Sequence, residues 1–176
     1  MVALLFNADD LGVEAMFCPN KEFLMSDQIR EAIRMELPKW KERKAVGYYR
    51  IVSLVSSRTE LGIRECFYGE SPLGVAVPPP SLEKDILEKK GDPDLFLACY
   101  DETIPVIIRG EAYIEAALNI EKGQYVTAST LGTAIPCAYP YVRAKMWPCV
   151  GIALDSAKSF DLVKVLVLPM LVILED

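Results

Sequence analysis

Short segments rich in β-branched and aromatic residues recur about every ten residues from residue 45 to the end of the chain. Glycine, proline, aspartate and serine between these segments supply turn signals. Many short strands at this spacing are typical of a β-barrel or a β-sandwich. The predicted strands are 46–55, 61–68, 73–77, 95–100, 103–109, 112–116, 124–128, 134–139, 149–154, 162–168 and 170–174.

Two short helices are expected alongside these strands. The first follows a capping serine and ends at Pro38, with Ile29, Ile33 and Leu37 on one face. The second covers residues 81–90, with a serine at its start and a glycine after its end. The fold class is therefore predicted as mainly β with two short helices: a β-barrel or β-sandwich with an N-terminal α+β portion.

Three prolines at 78–80 stiffen the chain and divide it into two portions. Residues 1–80 are predicted to form an N-terminal arm and docking portion with a short helix and a β-hairpin. Residues 81–176 are predicted to form a small β-barrel-like portion. The two portions form either separate lobes or one compact domain, and we favour the compact domain.

The composition combines an acidic balance with a high apolar content. The formal net charge is −6, and hydrophobic residues make up 52% of the chain. Because an acidic surface repels phosphates and anionic lipids, neither nucleic acid nor a membrane is expected as a partner. The apolar surplus favours burial between subunits, so a homo-oligomer is expected. Asn and Gln are scarce, which is one mark of proteins from hot environments.

No segment is expected to enter a membrane or direct secretion. The longest apolar run, 165–174, is too short to span a bilayer and contains Pro169. Residues 1–6 are apolar but lack a basic region before them, so no signal peptide is predicted.

The absence of histidine removes many mechanisms. A Ser-His-Asp triad, a Cys-His pair and a His-ligated metal centre are all excluded. The five cysteines show no CxxC spacing, and their pairing stays open. The sequence therefore nominates no catalytic, cofactor-binding or metal-binding residues, and the protein is predicted not to be an enzyme.

One part of the chain carries a recognisable order of motifs. A Glu-Lys-Gly-Gln-Tyr-Val run at 121–126 is followed by Val-Gly-Ile-Ala-Leu-Asp-Ser-Ala at 150–157 and a Val-rich strand. Over residues 108–169 this order resembles the small β-barrel proteins that decorate the capsids of tailed viruses of bacteria or archaea. The turn before the last strand departs from that pattern, because residues 159–161 contain no glycine. The matching positions are Gly123, Val126, Gly151, Ala153 and Ala157.

The resemblance implies a structural, non-enzymatic protein that decorates or cements a capsid. It implies self-association, with a trimer favoured, and docking onto the major capsid or shell protein. It also implies a place on the virion surface after assembly in the host cytoplasm, and the scarcity of Asn and Gln would suit a virus of a thermophilic host.

The interface is expected to use the N-terminal arm and the last apolar run. The alternative is that these residues fill the protein's own core. Gly123 and Gly151 are predicted to serve barrel turns and close backbone approach. The predicted interface residues are Leu4, Leu5, Phe6, Val165, Val167, Met170, Leu171 and Ile173.

Two other readings stay open. A cellular β-barrel that self-associates in a scaffold or shell would share most of these features. A carboxylate-based enzyme or a small-ligand-binding barrel would instead need a deep pocket with converging acidic groups.

Overall fold

The computed structural model describes residues 2–5, 15–17, 32–40, 46–57, 61–79, 98–99, 103–137 and 146–173. All helix or strand structure within these ranges is β, which confirms the prediction of a mainly β chain. The strands are β1 (Val2–Leu5), β2 (Ala15–Phe17), β3 (Ile33–Pro38), β4 (Val46–Gly47), β5 (Arg50–Ser56), β6 (Leu61–Glu65), β7 (Gly74–Ala76), β8 (Ala98–Cys99), β9 (Thr103–Glu115), β10 (Tyr125–Ala128), β11 (Ala134–Pro136), β12 (Met146–Ala153) and β13 (Leu162–Ile173).

The first predicted helix is wrong over its second half. That segment is β3, which pairs antiparallel with residues 103–109 of β9. Its sequence fits the period of a strand as well as that of a helix, because Ile33, Met35 and Leu37 occupy alternate positions. Pairing with the long strand β9 satisfies the backbone along the whole segment, so tertiary context overrides a weak helical pattern. The second predicted helix lies outside the described residues.

Two long strands replace pairs of predicted short ones. β9 continues through Gly110, which has a φ of 102°, and β13 continues through Pro169. The ladder between β12 and β13 shifts between Cys149 and Gly151, so β13 carries one extra residue there. Pro169 lies in this bulge, where β13 also changes partner from β9 to β1. A bulge accommodates proline because the missing N–H breaks no ladder hydrogen bond.

The main sheet runs in the order β11-β10-β12-β13-β9-β7-β5-β6, with antiparallel neighbours throughout. β3 and β7 pair with the same two residues of β9, Val106 and Ile107, and so lie on opposite edges of it. The Trp40 N–H, just after β3, donates to the Ile63 carbonyl of β6 at 2.9 Å. This contact and the parallel bridge between Lys39 and Ile63 link β3 to β6, the two ends of the row β3-β9-β7-β5-β6, in a half-barrel whose ladders are antiparallel.

Buried side chains from seven strands, β5, β7 and β9 to β13, form the largest core cluster. Ile51 and Val75 come from β5 and β7, and they belong to one cluster with Ile114, Val126 and Val165 from β9, β10 and β13. The described parts on either side of residues 78–80 therefore share a core. Further clusters lie around Tyr49 and Ile104, and around Tyr125 and Met170.

Candidate docking surface

One aromatic side chain stands out on the turn that joins β12 to β13. Phe160 is 75% exposed, the largest fraction among the exposed large hydrophobic side chains of the described residues. The Asp161 N–H donates to the Lys158 carbonyl at 3.0 Å and closes the turn. The Phe160 N–H donates to the Ala116 carbonyl, just after β9, at 2.7 Å. The backbone of the turn is thus held against the sheet while the ring meets solvent.

The backbone of Phe160 is in the left-handed region, with a φ of 70°. A residue with a Cβ occupies this region at a cost of roughly 1–2 kcal/mol, which is why glycine is favoured there. Tyr49 also has a positive φ, of 57°, but its ring is fully buried, so packing offsets the cost. Phe160 has little packing to set against the same cost. Strain of this kind in an exposed aromatic residue makes it a candidate for contact with a partner.

A shallow, mainly apolar depression of about 330 Å³ lies beside this turn and is lined by Leu118, Asn119, Pro136 and Ser159. Ser159 holds its rim in place, since its hydroxyl donates to the Ala117 carbonyl at 2.6 Å. The Ser159 N–H also donates to Asn119 Oδ1 at 3.0 Å. These bonds tie the turn before β13 to the segment after β9.

The chemistry of this region suits contact rather than reaction. Its volume is near the lower end of the range of about 300–1,000 Å³ typical of small-molecule sites. The described residues that line it carry no ionisable group. Exposed Lys158 and Asp161 flank the aromatic ring and supply the polar rim that protein interfaces have. We define the candidate docking surface as Phe160 together with Leu118, Asn119, Pro136 and Ser159.

The interface residues predicted from sequence occupy different positions. Val165 and Val167 are fully buried in the largest core cluster, and Met170 is 5% exposed in another. These three fill the protein's own core in the folded protomer. Leu171 and Ile173 are half-buried.

The structure also brings the two predicted interface segments together. β1 pairs antiparallel with the end of β13, with Leu4 opposite Leu171 and Leu5 opposite Met170. Phe6 lies outside the described residues.

The two glycines singled out from the sequence have different surroundings. Gly123 follows Lys122 in a turn closed by the Gln124 N–H and the Glu121 carbonyl at 3.1 Å, and its φ is 87°. A positive φ at this third position alone is the pattern of a type II turn. Gly151 lies in β12, where a Cβ would come within 1.9 Å of the Leu166 carbonyl oxygen of β13. Only glycine fits at that separation.

The titratable groups with shifted pKa values near β6 serve the fold. Burial opposes ionisation of Glu70, but the Phe67 N–H at 2.9 Å, the Arg64 guanidinium and the Ser53 hydroxyl at 3.2 Å bind its carboxylate and lower its pKa. Burial raises the pKa of the Cys66 thiol to about 12. These groups fasten the segment after β6 to β5.

Within the described ranges, no three His, Cys, Asp or Glu side chains gather in a way that could hold a metal ion. No helix long and apolar enough to span a membrane occurs in them either. The adjacent acidic pairs at 9–10, 101–102 and 175–176 lie outside these ranges.

Sequence reasoning missed the candidate docking surface. One signal was available, since the turn at 159–161 lacks the glycine that the resembling capsid proteins have there. The exposure and the left-handed backbone of Phe160 could be read only from the structure.

Comparison with known proteins gives a likeness of fold. No family model and no curated protein matches the chain. Among solved structures, the fold is similar to that of the N base of the head fibre protein gp8.5 of bacteriophage phi29, with a TM-score of 0.51 and 16% sequence identity. The match covers 78% of this chain and 94% of that chain. The sequence resembles the decoration proteins of tailed-virus capsids of bacteria or archaea, and the solved structure with a similar fold is a phage head fibre protein.

Proposed function

We propose that this protein is a structural, non-enzymatic component of a virus particle that docks onto the major capsid or shell protein. The observation that carries the proposal is the likeness to the phage head fibre base, because it extends over 94% of that chain. The fold alone does not assign a function, so the proposal also needs a surface that can act in this way.

The candidate docking surface has the features that such docking needs. A ring that is 75% exposed beside an apolar depression offers a protruding anchor next to a hollow. Binding energy at protein interfaces concentrates in a few aromatic anchors surrounded by polar groups. A partner with a complementary hollow and ridge would bury the Phe160 ring and fill the depression. Repeated shell subunits would offer this site many times over one particle.

Self-association is the second part of the proposal. The high apolar content favours an oligomer, and the resemblance to capsid decoration proteins favours a trimer. The exposed apolar residues of β3, Ile33 and Met35, are 46% and 44% exposed and share one face of their strand. They are the candidates for contact between subunits.

The direct test of the virion role is the composition of purified particles. Virus particles from an infected host culture are purified on a density gradient, washed and digested with protease. Peptides of this chain are then quantified relative to peptides of the major capsid protein. We expect a fixed ratio that survives the washes. Recovery only in the soluble fraction would contradict the virion role and favour a cellular scaffold.

The test of docking uses shells that lack this protein. Wild-type protein, Phe160→Ser and the matched control Leu131→Ser are incubated with the shells and sedimented. Leu131 is 64% exposed on the turn between β10 and β11, so its replacement removes a comparable exposed apolar group elsewhere. We expect the Phe160 variant to remain in the supernatant and the Leu131 variant to sediment. Equal sedimentation of all three would rule out Phe160 as the anchor.

The test of self-association is the native mass by light scattering after size exclusion. We expect three times the protomer mass of 19.6 kDa. A monomer at all concentrations would remove self-association from the proposal and leave docking onto the shell unaffected.

A further inference from the structure

Two cysteine sulfurs meet inside the cluster formed by β10, β12 and β13. Cys137 directly follows β11, and Cys149 lies in β12. Both side chains are buried, at 2% and 0% exposure. Their Sγ atoms are 2.9 Å apart, with the Cys149 thiol donating to Cys137.

The backbone holds both residues in place. The Cys137 N–H donates to the Tyr125 carbonyl of β10 at 2.8 Å, which extends the pairing of β11 with β10. Cys149 lies opposite Met170 in the ladder between β12 and β13. Main-chain pairing therefore fixes the position of each cysteine.

The surroundings of the cysteine pair suit neither a structural zinc site nor a reactive thiol. Tyr125, Ile152, Met170 and Val172 pack around them. A structural zinc site needs four ligands, and no third His, Cys, Asp or Glu joins this pair among the described residues. The hydrogen bond to Cys137, together with burial, raises the pKa of Cys149, so a reactive thiolate is disfavoured.

We propose that Cys137 and Cys149 form an intramolecular disulfide when the protein meets an oxidising environment. Virion surfaces are among the places where protein disulfides persist, although the pairing does not depend on the function proposed above. The bond would join the end of β11 to β12 across β10, closing the loop between positions 12 apart in sequence.

The reaction balances with a low-molecular-weight disulfide as the oxidant. While the chain folds and before the pair is buried, the thiolate of one cysteine attacks the reagent, forms a mixed disulfide and releases one reagent thiol. The thiolate of the other cysteine then displaces the second reagent thiol and forms the protein S–S bond. Two protein thiols lose two protons and two electrons, and the reagent disulfide becomes two thiols.

The proximity assigns one pair among the five cysteines. Cys66 is buried in the largest core cluster with Ile51 and Val75, separate from the cluster of the pair. Its thiol donates to the Phe67 and Glu70 carbonyls at 3.6 and 3.7 Å. It is therefore the natural cysteine control.

The sequence makes the pairing easy to map, because trypsin places every cysteine in a separate peptide. Cys137 lies in peptide 123–143 and Cys149 in peptide 146–158. The reduced protein is refolded from denaturant with oxidised glutathione present, so that the thiols meet the oxidant before they are buried. It is then alkylated in denaturant, digested without reductant and analysed by mass spectrometry.

We expect peptides 123–143 and 146–158 joined at a mass two hydrogens below their sum, and separated again by reductant. Recovery of both peptides alkylated and unlinked, or either one joined to a different cysteine peptide, would overturn the proposal. This measurement uses the wild-type chain and does not depend on any variant folding.

Thermal unfolding adds a readout of the effect on stability. Closing a loop of this length predicts a melting temperature about 5–10 °C higher for the oxidised than for the reduced wild-type protein. The double variant Cys137→Ala/Cys149→Ala should melt at the same temperature in both conditions, and Cys66→Ala should keep the shift. A shift that persists in the double variant would assign it to other cysteines and contradict this pairing.

Discussion

Replacing Phe160 by glycine and by alanine separates its backbone strain from its side-chain contacts. Its φ of 70° costs a residue with a Cβ roughly 1–2 kcal/mol. Glycine avoids that cost but loses about 0.5–1 kcal/mol more backbone entropy on folding. The side chain is 75% exposed, so the buried quarter of a phenylalanine contributes only about 0.4–0.8 kcal/mol.

These magnitudes give an order of stability for the two variants. Phe160→Ala keeps the strain and loses the contact, so it should unfold about 0.5 kcal/mol more easily than wild type. Phe160→Gly loses the same contact but relieves the strain, so it should be more stable than Phe160→Ala by about 0.5–1 kcal/mol. An exposed surface position without strain would show the opposite order.

Urea unfolding followed by tryptophan fluorescence measures the difference, and sedimentation with protein-free shells measures docking. Both variants should fail to sediment, although Phe160→Gly should be at least as stable as wild type. If Phe160→Ala is at least as stable as Phe160→Gly, the argument from backbone strain is refuted. If Phe160→Gly still sediments, the ring is not the docking anchor.

Other predictions follow from the glycines and from the buried thiol. Gly151→Ala should cost more than about 3 kcal/mol in urea unfolding, because the new Cβ would come within 1.9 Å of the Leu166 carbonyl oxygen. The control Gly123→Ala should cost only about 1 kcal/mol of backbone strain, since its Cβ would meet nothing within 4 Å, and equal costs would contradict the steric argument. Burial raises the pKa of Cys66 from 9.0 to about 12, so the native state holds that proton more tightly than the unfolded state. The free energy of unfolding should therefore be fully retained below pH 9 and decline as the pH rises towards 12, by up to about 1.4 kcal/mol per pH unit. Cys66→Ala should flatten that decline, and an unchanged slope in pH-dependent unfolding would assign it to other groups.

The β elements were predictable because their patterns are local. Alternation and turn residues locate a strand such as Leu61–Glu65 without knowledge of its partner. Predictions failed where pairing with a strand distant in sequence overrode the local sequence pattern. Pro169 reads as a strand breaker in sequence, but a bulge opposite β12 and a change of partner at the same point absorb it. The segment Ile33–Pro38 reads as a helix until β9 offers it a full ladder.

The predicted interface illustrates the same limit. Apolar content identifies Val165 and Val167 as residues that leave water, but it does not distinguish a core from a subunit contact. Both side chains are completely buried within the protomer. The candidate docking surface was missed because one exposed aromatic residue among many apolar ones carries no periodic signal.

The core and the candidate docking surface lie on different parts of the chain. The exposed turn can therefore change in sequence while the core keeps the fold. The long strands β9 and β13 carry core residues such as Ile114 and Val165, and a core tolerates many apolar substitutions that keep volume and pattern. Phe160 and Ser159 lie on a turn that is bonded to Ala116 through the Phe160 N–H and to Ala117 through the Ser159 hydroxyl, and both bonds would survive a change of side chain at Phe160. Substitution there would change the proposed docking contact and leave the sheet intact. A likeness of fold at 16% identity is what such an arrangement predicts, since the strands need only their pattern and the turns are free to diverge.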